Sequence, residues 1–206
     1  MKFVAAVTAL TSLSLATAAT NKQDPKRKLG GGKGKMSKKE QCGASTKLKA
    51  KIGMYPEYAG PFETEGYVEL EFMPYSTGFE ATFDLEGVDP ACSTVCTTAS
   101  SANCCGVHVH AGTTCWLPGL VKGHYYDNSA EASGGADDPW STPNDTPAIY
   151  TPDMGDDEVE GSFYLDDGFS AEMHVGRALV IHDATGARIG CGLLELCDWV
   201  NDQKND

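Results

Sequence analysis

The stretch Cys105–Tyr126, CGVHVHAGTTCWLPGLVKGHYY, gathers three of the chain's five histidines and one well-placed cysteine. In an extended strand, side chains alternate between faces, so His108 and His110 point one way while Val107 and Val109 point the other. Two imidazoles about 7 Å apart at Cα then share a face and can converge on one metal ion. The loop that follows contains Gly112, Pro118, Gly119 and Gly123, residues that let the chain turn back over the strand. His124, at the end of that loop, can join as a third imidazole.

On either side of this stretch lie short β patterns broken by turns. TKLKAKIGMY (46–55), GYVELEFMPY (66–75) and GFEATFDLEG (78–87) come before it. In the second, Tyr67, Glu69, Glu71 and Met73 alternate with Val68, Leu70 and Phe72, giving one polar and one apolar face. In the third, Phe79, Thr82 and Leu85 stand against Glu80, Asp84 and Glu86, a weaker version of the same pattern. VEGSFYLD (159–166), GRALVIHD (176–183), a turn at Ala184-Thr185-Gly186 and ARIGCGLLEL (187–196) come after it. In GRALVIHD, Leu179 and Ile181 share one face and Val180 and His182 the other, so His182 is expected to end its strand facing outward. Residues 88–104 read as a loop stapled by Cys92, Cys96, Cys104 and Cys105, whose pairing the sequence leaves open. Residues 127–161 read chiefly as loop, and Asp153, Asp156, Asp157 and Glu158 within them as solvated acid, because their spacing does not match a calcium-binding helix-loop-helix.

Composition places this β pattern outside the cytosol. Residues 1–19, MKFVAAVTALTSLSLATAA, read as a secretory signal, with Lys2, an apolar run and small residues at Ala16, Ala18 and Ala19. No other apolar run approaches the roughly 18 residues of a membrane span, so the mature chain is expected to be soluble. Eight cysteines in a secreted chain read as disulfides rather than thiolate ligands, which leaves the histidines as the metal candidates. Residues 20–41 carry eight Lys or Arg against two acids, a net of +6, around Gly30-Gly31-Gly32; from Gln41 onward seven Lys or Arg face 27 acids, a net of −20. The basic segment has too few apolar residues to order itself. It reads as a disordered arm, either a spacer or processed segment or an attachment to an anionic surface; nucleic acid is not an expected partner outside the cell. Residues 42–206 form the domain.

The HVH strand, a glycine-preceded histidine after a loop, GRALVIHD, and an arginine three residues before a glycine-flanked cysteine occur here in that order. Together they resemble the copper/zinc superoxide dismutase family, over roughly Gly78 to Leu196. The resemblance implies an all-β Greek-key barrel or flattened sandwich of seven or eight antiparallel strands. It implies copper held by His108, His110, His124 and His182, with His124 as the proton-carrying imidazole and Arg188 over the metal, guiding the anion. It further implies a disulfide between Cys115 and Cys191. In this fold the first and last strands are neighbours, which suggests a second pair, Cys42 with Cys197. The implied activity is dismutation of superoxide to dioxygen and hydrogen peroxide.

Two departures from the family pattern shape the expectation. There is no histidine between His124 and His174 to build the family's zinc site, and His174 itself reads as a surface residue. Only DATGA (183–187) separates the fourth copper ligand from the arginine, where zinc-containing members have a long charged loop. Both point to a copper-only protein without zinc. Some other group must then orient His124 through its second nitrogen, as carboxylates commonly do for metal-bound histidines. Asp137 or Asp138 is the candidate, with Asp127 and Glu131 as alternatives. An acidic domain should repel an anionic substrate at long range, so local charge at Arg188 has to dominate within a screening length of about 8 Å. A copper buffer would need the histidines but not Arg188, an adhesive wall protein would need only the β scaffold and the arm, and a blue-copper carrier would need a thiolate. The sequence is silent on oligomeric state.

Overall fold

Apolar residues alternating with charged ones form the strands at 65–72, 78–86 and 159–166, whereas those at 107–110, 178–182 and 188–193 are almost wholly buried. The computed structural model describes residues 45–94, 102–129, 137–141 and 146–197. The leader, the basic arm, Cys42, Cys96 and Glu131 lie outside these. Eight strands follow in order: β1 (Thr46–Met54), β2 (Glu65–Phe72), β3 (Gly78–Glu86), β4 (Val107–His110), β5 (Val159–Asp166), β6 (Ala178–His182), β7 (Arg188–Leu193) and β8 (Glu195–Leu196). All pairings among them are antiparallel, in the order β4-β6-β7-β1-β2-β3-β5, with β8 also on β1. After the β1-β2-β3 meander the chain crosses to the far edge for β4, then returns to lay β5 along β3. This is the Greek-key connection expected of an all-β chain of seven or eight strands.

The alternation closes the sheet around one core. Leu48, Leu70, Phe79, Val107, Phe163, Ile181 and Ile189, one from each of β1 to β7, all enter a single buried cluster. A flat sheet cannot bring its two edges to one cluster, so the sheet curls. In β2 the buried set is Val68, Leu70 and Phe72, as the pattern predicts. In β3 the buried set is Phe79, Ala81, Phe83 and Leu85, and Thr82 is exposed, contrary to its grouping with the apolar residues. Strict two-residue periodicity wins there, and small Ala81 simply contributes little apolar signal.

Two short helical turns, α1 (Pro118–Val121) and α2 (Ala171–His174), interrupt the loops. The described part of the cysteine loop contains a 3-10 turn at Pro90–Ser93, capped by the Asp89 carboxylate, which accepts from Ala91 N at 2.9 Å and from Ala184 N at 3.0 Å. That double contact ties the loop to the β6–β7 turn. Cys92 and Cys105 are joined in a disulfide, and Cys104 is also disulfide-bonded, so these three sulfurs are not thiolate ligands. Asp153, Asp156, Asp157 and Glu158 are exposed and form no metal-sized cluster among the described residues. No described helix is long and apolar enough to cross a membrane. Cys197 donates its N–H to Lys47 O beside β1, at 3.1 Å; its expected partner Cys42 is outside the described residues.

Candidate metal centre

β4, only four residues long, is buried on both faces. Val107 and Val109 face the core, and His108 and His110 face the other way, under the segment that follows. That segment doubles back: Ala111 N donates to Gly123 O (2.8 Å), Gly112 N to Val121 O (3.0 Å) and Tyr125 N to Val109 O (2.9 Å). A Cβ at Gly112 would lie 2.2 Å from Leu120 O, so only glycine permits the approach. The result sets His124 directly against His110 as a bridge partner. A disulfide between Cys115 and Cys191 hooks the same loop to β7.

His182 enters from the end of β6, where a register shift between Ile181 and His182 turns it toward the group. It shares the face of Val180, but it is not outward in the sense of being solvated. It is fully buried, because the returning loop covers that face. The candidate nitrogen atoms of His108, His110, His124 and His182 all lie within 4.8 Å of one another. His108 Nδ1 is 3.1 Å from His124 Nε2, and His110 Nε2 is 3.3 Å from His182 Nε2.

The opposite nitrogens explain the orientation. His110 Nδ1 donates to Lys122 O (2.9 Å), His182 Nδ1 to Gly186 O (3.0 Å) and His124 Nδ1 to the Asp138 carboxylate (2.7 Å). With the N–H held at Nδ1, each neutral ring presents its Nε2 lone pair inward. Lone pairs facing one another across about 3 Å repel unless a cation or a proton lies between them, so the donor set fits a transition metal that favours imidazole. His108 fits through Nδ1; its Nε2 is buried without a hydrogen bond, the Ala148 carbonyl exerting only a weak pull on the ring. Burial first, and the neighbouring His182 second, hold the pKa of His108 well below its ordinary value and that of His110 at about 2. Burial holds His182 at about 3. The three rings are therefore neutral and available as ligands at any ordinary pH. The His124 side chain is 11% exposed where His108, His110 and His182 are closed to solvent.

Arg188 starts β7 and is held from two sides, by Nη1 donating to Tyr55 Oη (3.0 Å) and Nη2 donating to Lys122 O. Its charge is felt at both His110 and His182. One carbonyl, that of Lys122, therefore fixes a ring and the guanidinium together. Lys122 does so at φ 63° and ψ −160°, a region nearly reserved for glycine and worth about 1–3 kcal/mol of strain. Nothing in the sequence pattern marks Tyr55 or this carbonyl.

The carboxylates are sorted by contact. Asp138 accepts from His124 through Oδ2 and from Trp140 N through Oδ1 (3.0 Å), and Trp140 Nε1 donates to Tyr125 O (2.9 Å), the residue after His124. Asp137 is exposed, and Asp127 accepts from Ser129 N instead (2.9 Å), which lowers its pKa. His174 is not a surface residue: it is fully buried, with Nε2 2.7 Å from Asp167 Oδ2 and Nδ1 3.0 Å from Ser170 O. It stands apart from the four-histidine group.

No protein-family model matches the chain, and no curated protein does. Among solved structures, a point variant of superoxide dismutase 5 of Candida albicans aligns at 16% identity and a TM-score of 0.47, covering 78% of this chain and 99% of that one. The copper(II) form of the same enzyme aligns at 17% identity and a TM-score of 0.46, covering 79% and 99%. Identity of this order and TM-scores below 0.5 decide neither family nor activity, which leaves the four-imidazole geometry to carry a functional reading.

Proposed function

We propose that this chain is a secreted, copper-only superoxide dismutase. One observation supports the reading above others: four imidazole nitrogens converge, and one of their rings, His110, shares the Lys122 carbonyl with the Arg188 guanidinium held at their edge. Two superoxide anions and two protons become one dioxygen and one hydrogen peroxide. His108, His110, His124 and His182 would hold the copper, which when bound supplies one-electron exchange with each superoxide in turn. Arg188 binds the anion through a fixed charge and its N–H donors. His124, the ring open to water, holds and releases a proton at Nε2 while Asp138 retains the hydrogen bond at Nδ1. Engagement of that second nitrogen by Asp138, and the lack of any histidine between His124 and His174, favour copper without zinc. The signal-like leader and the disulfides favour secretion, with the basic arm either a spacer or processed segment or an attachment to an anionic surface.

Metal content and dismutation of the copper-loaded protein test this, beside Arg188→Ala. We expect one copper and no zinc, and a fall of about 100-fold in kcat/KM for the variant with copper retained. Tight copper without dismutation would leave a copper-holding module instead, and zinc in equal amount would overturn the copper-only assignment. Asp138→Asn should cost about 10- to 100-fold in copper affinity or activity, read by chelator competition and turnover; unchanged values in both would remove Asp138 from the site.

A further inference from the structure

Arg188 and Tyr55 are 133 residues apart in the chain, and the pairing of β1 with β7 brings them together. Tyr55 follows Met54, the last residue of β1, and its N–H donates to Ile189 O at 2.8 Å, which sets it beside the start of β7. Its ring is buried in a small cluster with Val121, Val180 and Cys191. The roles at its hydroxyl are fixed by chemistry. A guanidinium can only donate, so Tyr55 Oη accepts from Arg188 Nη1, and its own proton goes to Pro118 O at 3.2 Å. Of the five N–H donors of a guanidinium, one meets this phenol and one the Lys122 carbonyl; the others have no acceptor among the described residues. No carboxylate pairs with Arg188 among those residues either. Both holders are uncharged oxygens, which fix the fork and leave its charge uncancelled.

We propose that Tyr55 is a positioning residue for anion binding at Arg188. An arginine free to move among its rotamers presents its fork to a small anion only part of the time, and binding then has to order it. The Tyr55 hydroxyl orders it beforehand, without the cancellation of charge that a carboxylate in the same place would bring. Through Pro118 O the same hydroxyl joins that orientation to the loop that runs on to Lys122 and His124. The identity of the anion as superoxide rests on the dismutase reading; the ordering of the guanidinium does not.

Azide binding to the copper-loaded protein, followed by visible absorption, tests this, with dismutation measured in parallel. Labelling of arginine side chains by phenylglyoxal, located by peptide mass, reads the guanidinium itself without reference to copper. Tyr55→Phe keeps the buried ring and removes only the oxygen. It should weaken azide binding and lower kcat/KM for superoxide about three- to tenfold, the effect of one hydrogen bond. It should also speed the labelling of Arg188. Arg177, held by Met173 O, Ala111 O and Tyr125 Oη, should label at an unchanged rate. In an Arg188→Ala background, Tyr55→Phe should alter neither azide affinity nor dismutation further. Either an azide affinity or an Arg188 labelling rate equal to wild type in Tyr55→Phe would overturn the proposal, whatever dismutation does. So would an equal loss of azide affinity in both backgrounds, which would make Tyr55 a support of the loop through Pro118 O. Tyr55-dependent azide binding and labelling in a protein that does not dismutate would sink the dismutase reading and leave the positioning role standing.

Discussion

Cys115→Ala with Cys191→Ala is expected to cost about 4 kcal/mol of unfolding free energy and to loosen the metal centre with it. The two cysteines are 76 residues apart, and by the chain-entropy estimate a loop of that length is worth about 4 kcal/mol. The position of the bond adds a functional loss to the thermodynamic one. Cys191 pairs in register with Val180 on one side and Gly53 on the other, and Val180 is the cross-strand neighbour of His108. Cys115 stands on the loop that carries Lys122 and His124. Without the bond, that loop keeps its hydrogen bonds to β4 and to its own return, and the bond from Arg188 to Lys122 O, but loses its covalent anchor to β7. Denaturant unfolding of the oxidised wild type and the double variant, with copper retained after dialysis as second reading, tests both parts. A loss under about 1 kcal/mol with full copper retention would show that packing alone positions the loop.

How much of this was legible beforehand differs by element, for physical reasons. The strands were legible because a curled sheet with one buried face writes period two into the chain, clearly in Val68, Leu70 and Phe72. The pair His108 and His110 was legible for the same reason, and glycine at 112 and 123 announced the turn back. Thr82 was misplaced because alanine at 81 hides a core position. The solvation of a face was not legible. Alternation gives His182 its correct face, but that face is covered by residues about sixty to seventy positions earlier in the chain, and no local pattern reports a distant lid. Choosing between Asp137 and Asp138 depends on one turn before Trp140, where adjacent residues point apart. His174 was lost in a similar way: α2 is a single turn, too short for periodicity to say which side faces in.

Asp167→Ala should destabilise the protein by about 3–5 kcal/mol, more than any surface change. Both side chains of the Asp167–His174 pair are closed to solvent. His174 Nδ1 faces the Ser170 carbonyl and Nε2 faces the Asp167 carboxylate, so acceptors stand at both ring nitrogens. A proton must lie between Nε2 and Oδ2 whichever atom carries it, and removing Asp167 leaves Nε2 without a partner among Phe72, Phe79 and Tyr125, whose rings surround His174 at 5.0 to 5.7 Å. The same carboxylate accepts from Phe169 N (3.1 Å), and the Asp167 carbonyl accepts from Asp127 N (2.7 Å), three residues after His124. Asp167→Leu with His174→Phe removes donor and acceptor together, so it should recover much of the loss, since apolar replacement of a whole buried pair is often neutral. Urea unfolding of the two variants discriminates sharply. If the single change costs less than about 1 kcal/mol, or the double change costs more than the single, the pair is not the coupled unit its geometry implies.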